Sequence, residues 1–404
     1  MKPKNVTLNR VITLPSLVFY GVGTILGAGV YSLSGKIAGL SGMFAPLSFL
    51  VSALIAAFIA LTYAELSSRY PKSAGEATYV SRAFARRWLT ITVGYGIVVT
   101  GIVSAAVMAR GFYGYLNEFI ELPVAVAIGL FVALIAAIAI AGIGLSVNFA
   151  TWVTVIEMSG ILLVVYAAKE HLALLPERWH DFIPVWSWAV WKNIILGAFL
   201  AFYAFIGFED MVNVAEEVID PEKNLPAAII LALVVSTLFY ILVTLAAVSS
   251  LPIPELAHHE APFALIVRQN SDLPVPLISA ISLIAILNGA LVQIVMGSRV
   301  LYGMAEKGIA PRLFGAIHAK TRTPAAASMV FAMLLLIVAL ALPIVELARI
   351  TSFVILTIFA LVNLSLVTLK IREKRPDSGK HFRIPILVPA IGFVLCLGFI
   401  LMQF

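Results

Sequence analysis

Four glycines in nine residues, Gly21-Val22-Gly23-Thr24-Ile25-Leu26-Gly27-Ala28-Gly29, interrupt the first apolar run of this 404-residue chain. Phe205-Ile206-Gly207-Phe208-Glu209-Asp210 interrupts another roughly half a chain later. Glycine costs about 1 kcal/mol in a helix interior relative to alanine, and unpaired backbone facing lipid costs several kcal/mol per group. Breaks at matching places in two halves are explained by backbone freed to bind something, the pattern of a solute carrier built from inverted repeats. The first helix runs outward, so its outer half begins near Gly29. The amides of Ala28 and Gly29, at a helix N-terminus, suit a carboxylate. The outer half of the sixth helix ends at its break, where the carbonyls of Tyr203, Ala204, Phe205 and Ile206 suit an ammonium. Two such ends facing one another describe a zwitterion. Gly23-x-x-x-Gly27 equally permits plain close packing of helices.

Two carboxylates stand where lipid-facing ones would be costly. Glu157, in Thr154-Val155-Ile156-Glu157-Met158-Ser159-Gly160, lies about 12 Å into its helix at 1.5 Å per residue. A central carboxylate costs about 2.5–3.5 kcal/mol to insert, so it faces protein. It serves either as a structural neutral acid bonded to the first helix or as a proton site. Glu209 either braces the second break or carries a proton. Arg110 snorkels toward the outer surface in a structural role; Glu216 and Glu217 form a solvated face. Scattered histidines and the single cysteine, Cys396, give no metal-ligand spacing, and nothing implies a cofactor. No catalytic dyad or nucleophile motif points to an enzyme.

The elements that hold these residues are membrane helices. The chain is 61% hydrophobic and 12% charged, with a mean hydropathy of +1.04, well below the roughly 25% charged of a soluble domain. Apolar runs of about 20 residues predict eleven helices, near 13–39, 44–66, 89–116, 123–143, 149–169, 191–219, 226–250, 274–305, 324–342, 347–371 and 384–403. The sixth extends past its polar half because Gly207 then sits near its centre. No cleavable signal and no soluble domain is expected. The +6 net charge reflects topology rather than nucleic acid. Lys2, Lys4 and Arg10, the Arg69 to Arg87 stretch, Arg299, Lys307 and Arg312, and the Lys370 to Arg383 stretch all fall on one side. The positive-inside rule makes that side cytoplasmic and leaves Phe404 outside. Two connections are expected to be structured: the basic, aromatic Ser67 to Arg87 along the cytoplasmic surface, and Pro252 to Asn270 as short helical pieces over an outer vestibule.

Three stretches carry a family likeness: Gly27-Ala28-Gly29-Val30, Phe205 to Pro226 with Asp220-Pro221-Glu222-Lys223-Asn224-Leu225-Pro226, and Ser298-Arg299-Val300-Leu301-Tyr302-Gly303-Met304-Ala305-Glu306-Lys307-Gly308. With them the chain resembles the amino acid–polyamine–organocation superfamily of permeases from about residue 10 to its C-terminus. The resemblance implies an all-α integral membrane protein of 5+5 inverted repeats, about 13–169 and 191–371, with an extra helix at 384–403. It implies alternating access in the cell membrane, an amino acid substrate, and a proton or sodium as coupling ion. Members commonly have twelve helices, one more than counted here, so the resemblance assigns no dimer contact by the last two and the oligomeric state stays open. Carried over residue by residue, the substrate carboxylate meets Gly27, Ala28 and Gly29. Its amino group meets carbonyls of Ile25, Tyr203 and Ile206 beside Phe205 and Gly207, with Tyr203 as aromatic gate. Thr100, Ala105, Met108, Gln293 and Ser352 face its side chain. Glu157 stands where several relatives place a lysine, so that charge is reversed here. A sodium symporter of the same fold, a permease-like sensor and a channel are the competing readings.

Overall fold

The computed structural model describes residues 10–72, 75–142, 147–306, 308–373 and 381–403, with backbone alone for 28 and 147–149. Lys2, Lys4, Lys307, Lys374, Arg375, Lys380 and Phe404 lie outside the described residues.

Among the described residues eleven principal apolar helices appear where hydropathy places them: Leu14–Ser41, Ala45–Arg69, Arg87–Leu116, Val124–Ala141, Val147–Ala167, Trp188–Phe205 with its continuation, Pro221–Ser250, Val275–Glu306, Ala325–Ala341, Ile344–Arg372 and Leu387–Leu401. They are called the first to the eleventh below. Among the described residues eight stretches are long and apolar enough to cross a membrane, and three shorter apolar helices accompany them. Helices are what a bilayer demands, since each one satisfies its own backbone.

The first, second, sixth and seventh helices pack together; the third lies against the eighth and tenth, and the eleventh against the tenth. Small residues permit close approach: a Cβ added at Gly29 would lie 2.6 Å from Ala204 Cα. The inner end of the bundle is taken as the end where the first helix begins. There the expected surface element is the amphipathic helix Gly75–Phe84. At the outer end the expected short pieces are helices Ile253–His258 and Pro262–Asn270. They press on the first helix: Lys36 Nζ donates to Ala257 O at 2.8 Å, and Tyr31 and Phe263 rings lie 5.0 Å apart.

One element differs from expectation. The sixth helix does not continue to residue 219 as an α-helix; it stops at Phe205 and resumes as a 3₁₀-helix, Phe208–Glu217. A 3₁₀ run of that length is uncommon. The cause is Gly207, whose φ of 134° reverses the backbone before the polar residues begin.

Candidate functional site: the paired helix breaks

Both breaks are present. Gly27 is non-helical (φ −26°, ψ −149°) inside the first helix. In the sixth, Ile206 is extended (φ −65°, ψ 132°) before Gly207. The breaks touch. A Cβ on Gly207 would sit 2.4 Å from Thr24 O, so only glycine lets the two backbones meet there. Thr24 Oγ1 donates to Gly207 O at 3.0 Å, and Gly207 N donates to Glu209 Oε2 at 2.8 Å. Glu209 therefore braces the start of the inner segment, as a carboxylate does at a helix N-terminus.

Between the breaks lies a cavity of about 20 Å³, the room of one or two waters rather than an amino acid. Of the residues expected at the site, Ile25, Gly27, Gly29, Met108, Tyr203, Ile206 and Gln293 line it. Ala28 is described by its backbone alone. Thr100 lines a second, larger space instead, and Ala105, Phe205, Gly207 and Ser352 line neither. The Phe205 ring packs on Tyr240, with centroids 5.1 Å apart. Ala105 and Ser352 are fully buried.

The larger space is a vestibule of about 330 Å³ at the inner end, meeting the small cavity at Ile206, Asp210 and Gln293. Glu76, Glu209 and Arg299 are on its wall. Glu76 lies outside the spanning helices, and burial pushes its carboxyl up to about 7.

Sequence reasoning missed several contributors. Ser104 lines the cavity and its hydroxyl meets that of Tyr203 at 3.1 Å. The Tyr240 hydroxyl lies 2.5 Å from Ile25 O and 2.6 Å from Ala204 O, sharing its proton between two carbonyls at the breaks. Asp210 joins cavity and vestibule, with Oδ2 unpartnered. Its signal was adjacency to Glu209; Ser104 and Tyr240 sit in ordinary helical sequence and had none. Glu157 is wholly buried, bonded at Oε1 by Asn288 Nδ2 at 3.4 Å.

Two touching helix breaks, cavity-lining polar groups and an inner vestibule define a broken-helix membrane transporter. The chain matches the family described as amino acid permease over residues 12–404. It belongs to that family, within the amino acid–polyamine–organocation superfamily, and is a transporter rather than an enzyme. The branched-chain amino acid permease BcaP of Bacillus subtilis is 27% identical over 419 residues, covering 98% of this chain and 88% of the relative. The methylthioribose transporter of the same organism is 26% identical over 422 residues, covering 98% and 89%. The vacuolar cationic amino acid transporter 2 of Arabidopsis thaliana is 27% identical over 384 residues, covering 90% of this chain and 60% of that protein.

Proposed function

We propose that this protein carries amino acids across the cytoplasmic membrane by alternating access and couples that transport to protons. The N-terminus is cytoplasmic and two inverted repeats, about 13–169 and 191–371, rock about the paired breaks. The observation that carries this reading is the contact of Gly207 with Thr24, one turn before the Gly27 break and beside Tyr203, with the vestibule on one side and packed outer helices on the other. In this reading the structure is the inward-facing state with its central site contracted. The substrate carboxylate meets amides at Gly27 to Gly29, and its ammonium meets carbonyls near Ile206. The apolar wall of Met108, Gly289 and Val292 suits an uncharged side chain.

Glu157 is the proton site of this proposal. It has no cationic partner among the described residues, and an unpaired buried anion is costly enough to favour the neutral acid. Proton loss would then bias the inward–outward balance, the differential free energy that coupling needs. In proteoliposomes, an inside-alkaline pH gradient without sodium should drive amino acid uptake. Glu157→Gln should lose that drive while amino acid exchange at equal pH continues. Strict sodium dependence overturns the proton reading. Full pH drive in Glu157→Gln moves the proton site elsewhere, with Glu209 next. Tight binding without any flux makes the protein a sensor.

A further inference from the structure

Glu157 on the fifth helix and Asn288 on the eighth form a buried pair with one end left open. Glu157 is wholly buried and Asn288 only 6% exposed. Asn288 Nδ2 donates to Glu157 Oε1 at 3.4 Å, a long bond. Glu157 Oε2 and Asn288 Oδ1 have no hydrogen-bond partner. Both are acceptors when Glu157 is ionised, and a buried acceptor without a donor is costly. A single proton on Oε2 would add the donor that this open end lacks.

The other titratable groups around Glu157 are committed elsewhere. Tyr31, on the first helix, donates its hydroxyl to the backbone oxygen of Glu157 at 2.7 Å. Tyr240, on the seventh, donates to Ile25 O and Ala204 O. No Lys, Arg or His among the described residues pairs with Glu157.

We infer that Asn288 is the positioning residue that reads the protonation state of Glu157. The neutral acid and the amide form a two-point pair, Nδ2–H to Oε1 and Oε2–H to Oδ1, and proton loss breaks it by setting oxygen against oxygen. The inference rests on Glu157 being the proton site. Its mechanical consequence follows from packing. Thr154 Oγ1, one turn before Glu157, donates to Phe19 O at 3.0 Å. A Cβ on Gly23 would lie 2.1 Å from that same Oγ1 and 3.6 Å from Glu157 Oε2. The inner segment of the first helix thus rests on the fifth with no slack. Loosening the fifth helix from the eighth shifts the surface supporting the segment before the Gly27 break.

The test is pH-difference infrared spectroscopy on the full-length protein in liposomes, paired with uptake. A protonated-carboxyl C=O band should appear on acidification and be absent in Glu157→Gln. In Asn288→Leu the band should move to higher wavenumber, because the acid has lost its acceptor, and pH-driven uptake should fall roughly tenfold, about one hydrogen bond. Asn288→Asp, close in shape, guards against misfolding. Two carboxyls sharing one proton should move the band's midpoint to higher pH. If Glu157→Gln removes the band but neither Asn288 variant changes its position or midpoint, the pairing is wrong and Glu157 survives as proton site. If Glu157→Gln leaves every acid band in place, the proton reading falls and the pairing with it.

Discussion

At the residue scale, the site depends on side chains that are missing as much as on those present. Gly207 adopts φ 134°, a conformation that costs other residues about 1–3 kcal/mol, and its missing Cβ leaves room for Thr24 O. Gly29 faces the Ala204 backbone in the same way. Gly207→Ala and Gly29→Val should both reduce amino acid uptake to background, measured beside the amount of folded protein in the membrane. Normal uptake by Gly29→Val would remove the first helix from the site. Tyr203 is packed in the core and also held by its hydroxyl, which reaches Ser104 O at 3.1 Å. An aromatic ring fixed at one end makes a defined wall for the cavity it lines.

At the element scale, helix ends are fastened by polar groups that composition alone would leave on the surface. Glu65 is fully buried, yet it receives Arg69, Lys370 Nζ at 2.7 Å and Ile384 N at 2.8 Å. That carboxylate joins the second and tenth helices to the segment leading into the eleventh. Arg110 caps the ninth helix, donating to Ala339 O at 2.7 Å and Leu340 O at 3.2 Å, where a cation favours the C-terminal dipole. The surface helix Gly75–Phe84 carries Glu76, which accepts from the Tyr63 hydroxyl at 3.2 Å. Burial raises the Glu76 carboxyl from 4.5 to about 7 in the folded protein, so the folded state holds a proton that the unfolded state releases earlier. Its stability contribution is intact below pH 4.5 and is lost as pH climbs toward 7, by up to about 3 kcal/mol. Glu76→Gln stays neutral and should flatten the fall in melting temperature across that window. An unchanged slope would mean Glu76 is ionised throughout.

At the scale of the whole molecule, one end of the path is packed and the other hollow. The vestibule reaches the breaks, whereas the outer helices lie directly on the first helix, with a Cβ at Gly35 only 2.2 Å from Leu256 O. In a Cys396→Ser background, Asn213→Cys on the vestibule wall should react with a membrane-impermeant thiol reagent applied from the inner side. Outer-side reagent should label it slowly. Equal labelling from both sides, with no effect of substrate, would indicate a continuous pore rather than a carrier.

The apolar runs were legible because a bilayer leaves helices as the only open-ended solution, so hydropathy sets their number and approximate length; the sixth is the exception, because its polar half past Gly207 is a 3₁₀-helix. Gly27 and Gly207 were legible for the same reason: a glycine break in an apolar helix has no local benefit. Sequence alone therefore determined the helices, the two breaks and the isolated carboxylate Glu157. Tertiary structure decided which side chains meet at the cavity. A helix register error of one residue turns a side chain about 100°, enough to exchange Ala105 for Ser104 as a lining residue. It also decided the partners drawn from distant helices, Tyr240 at the break carbonyls and Asn288 at Glu157, because contacts more than a hundred residues apart leave no local pattern in the chain.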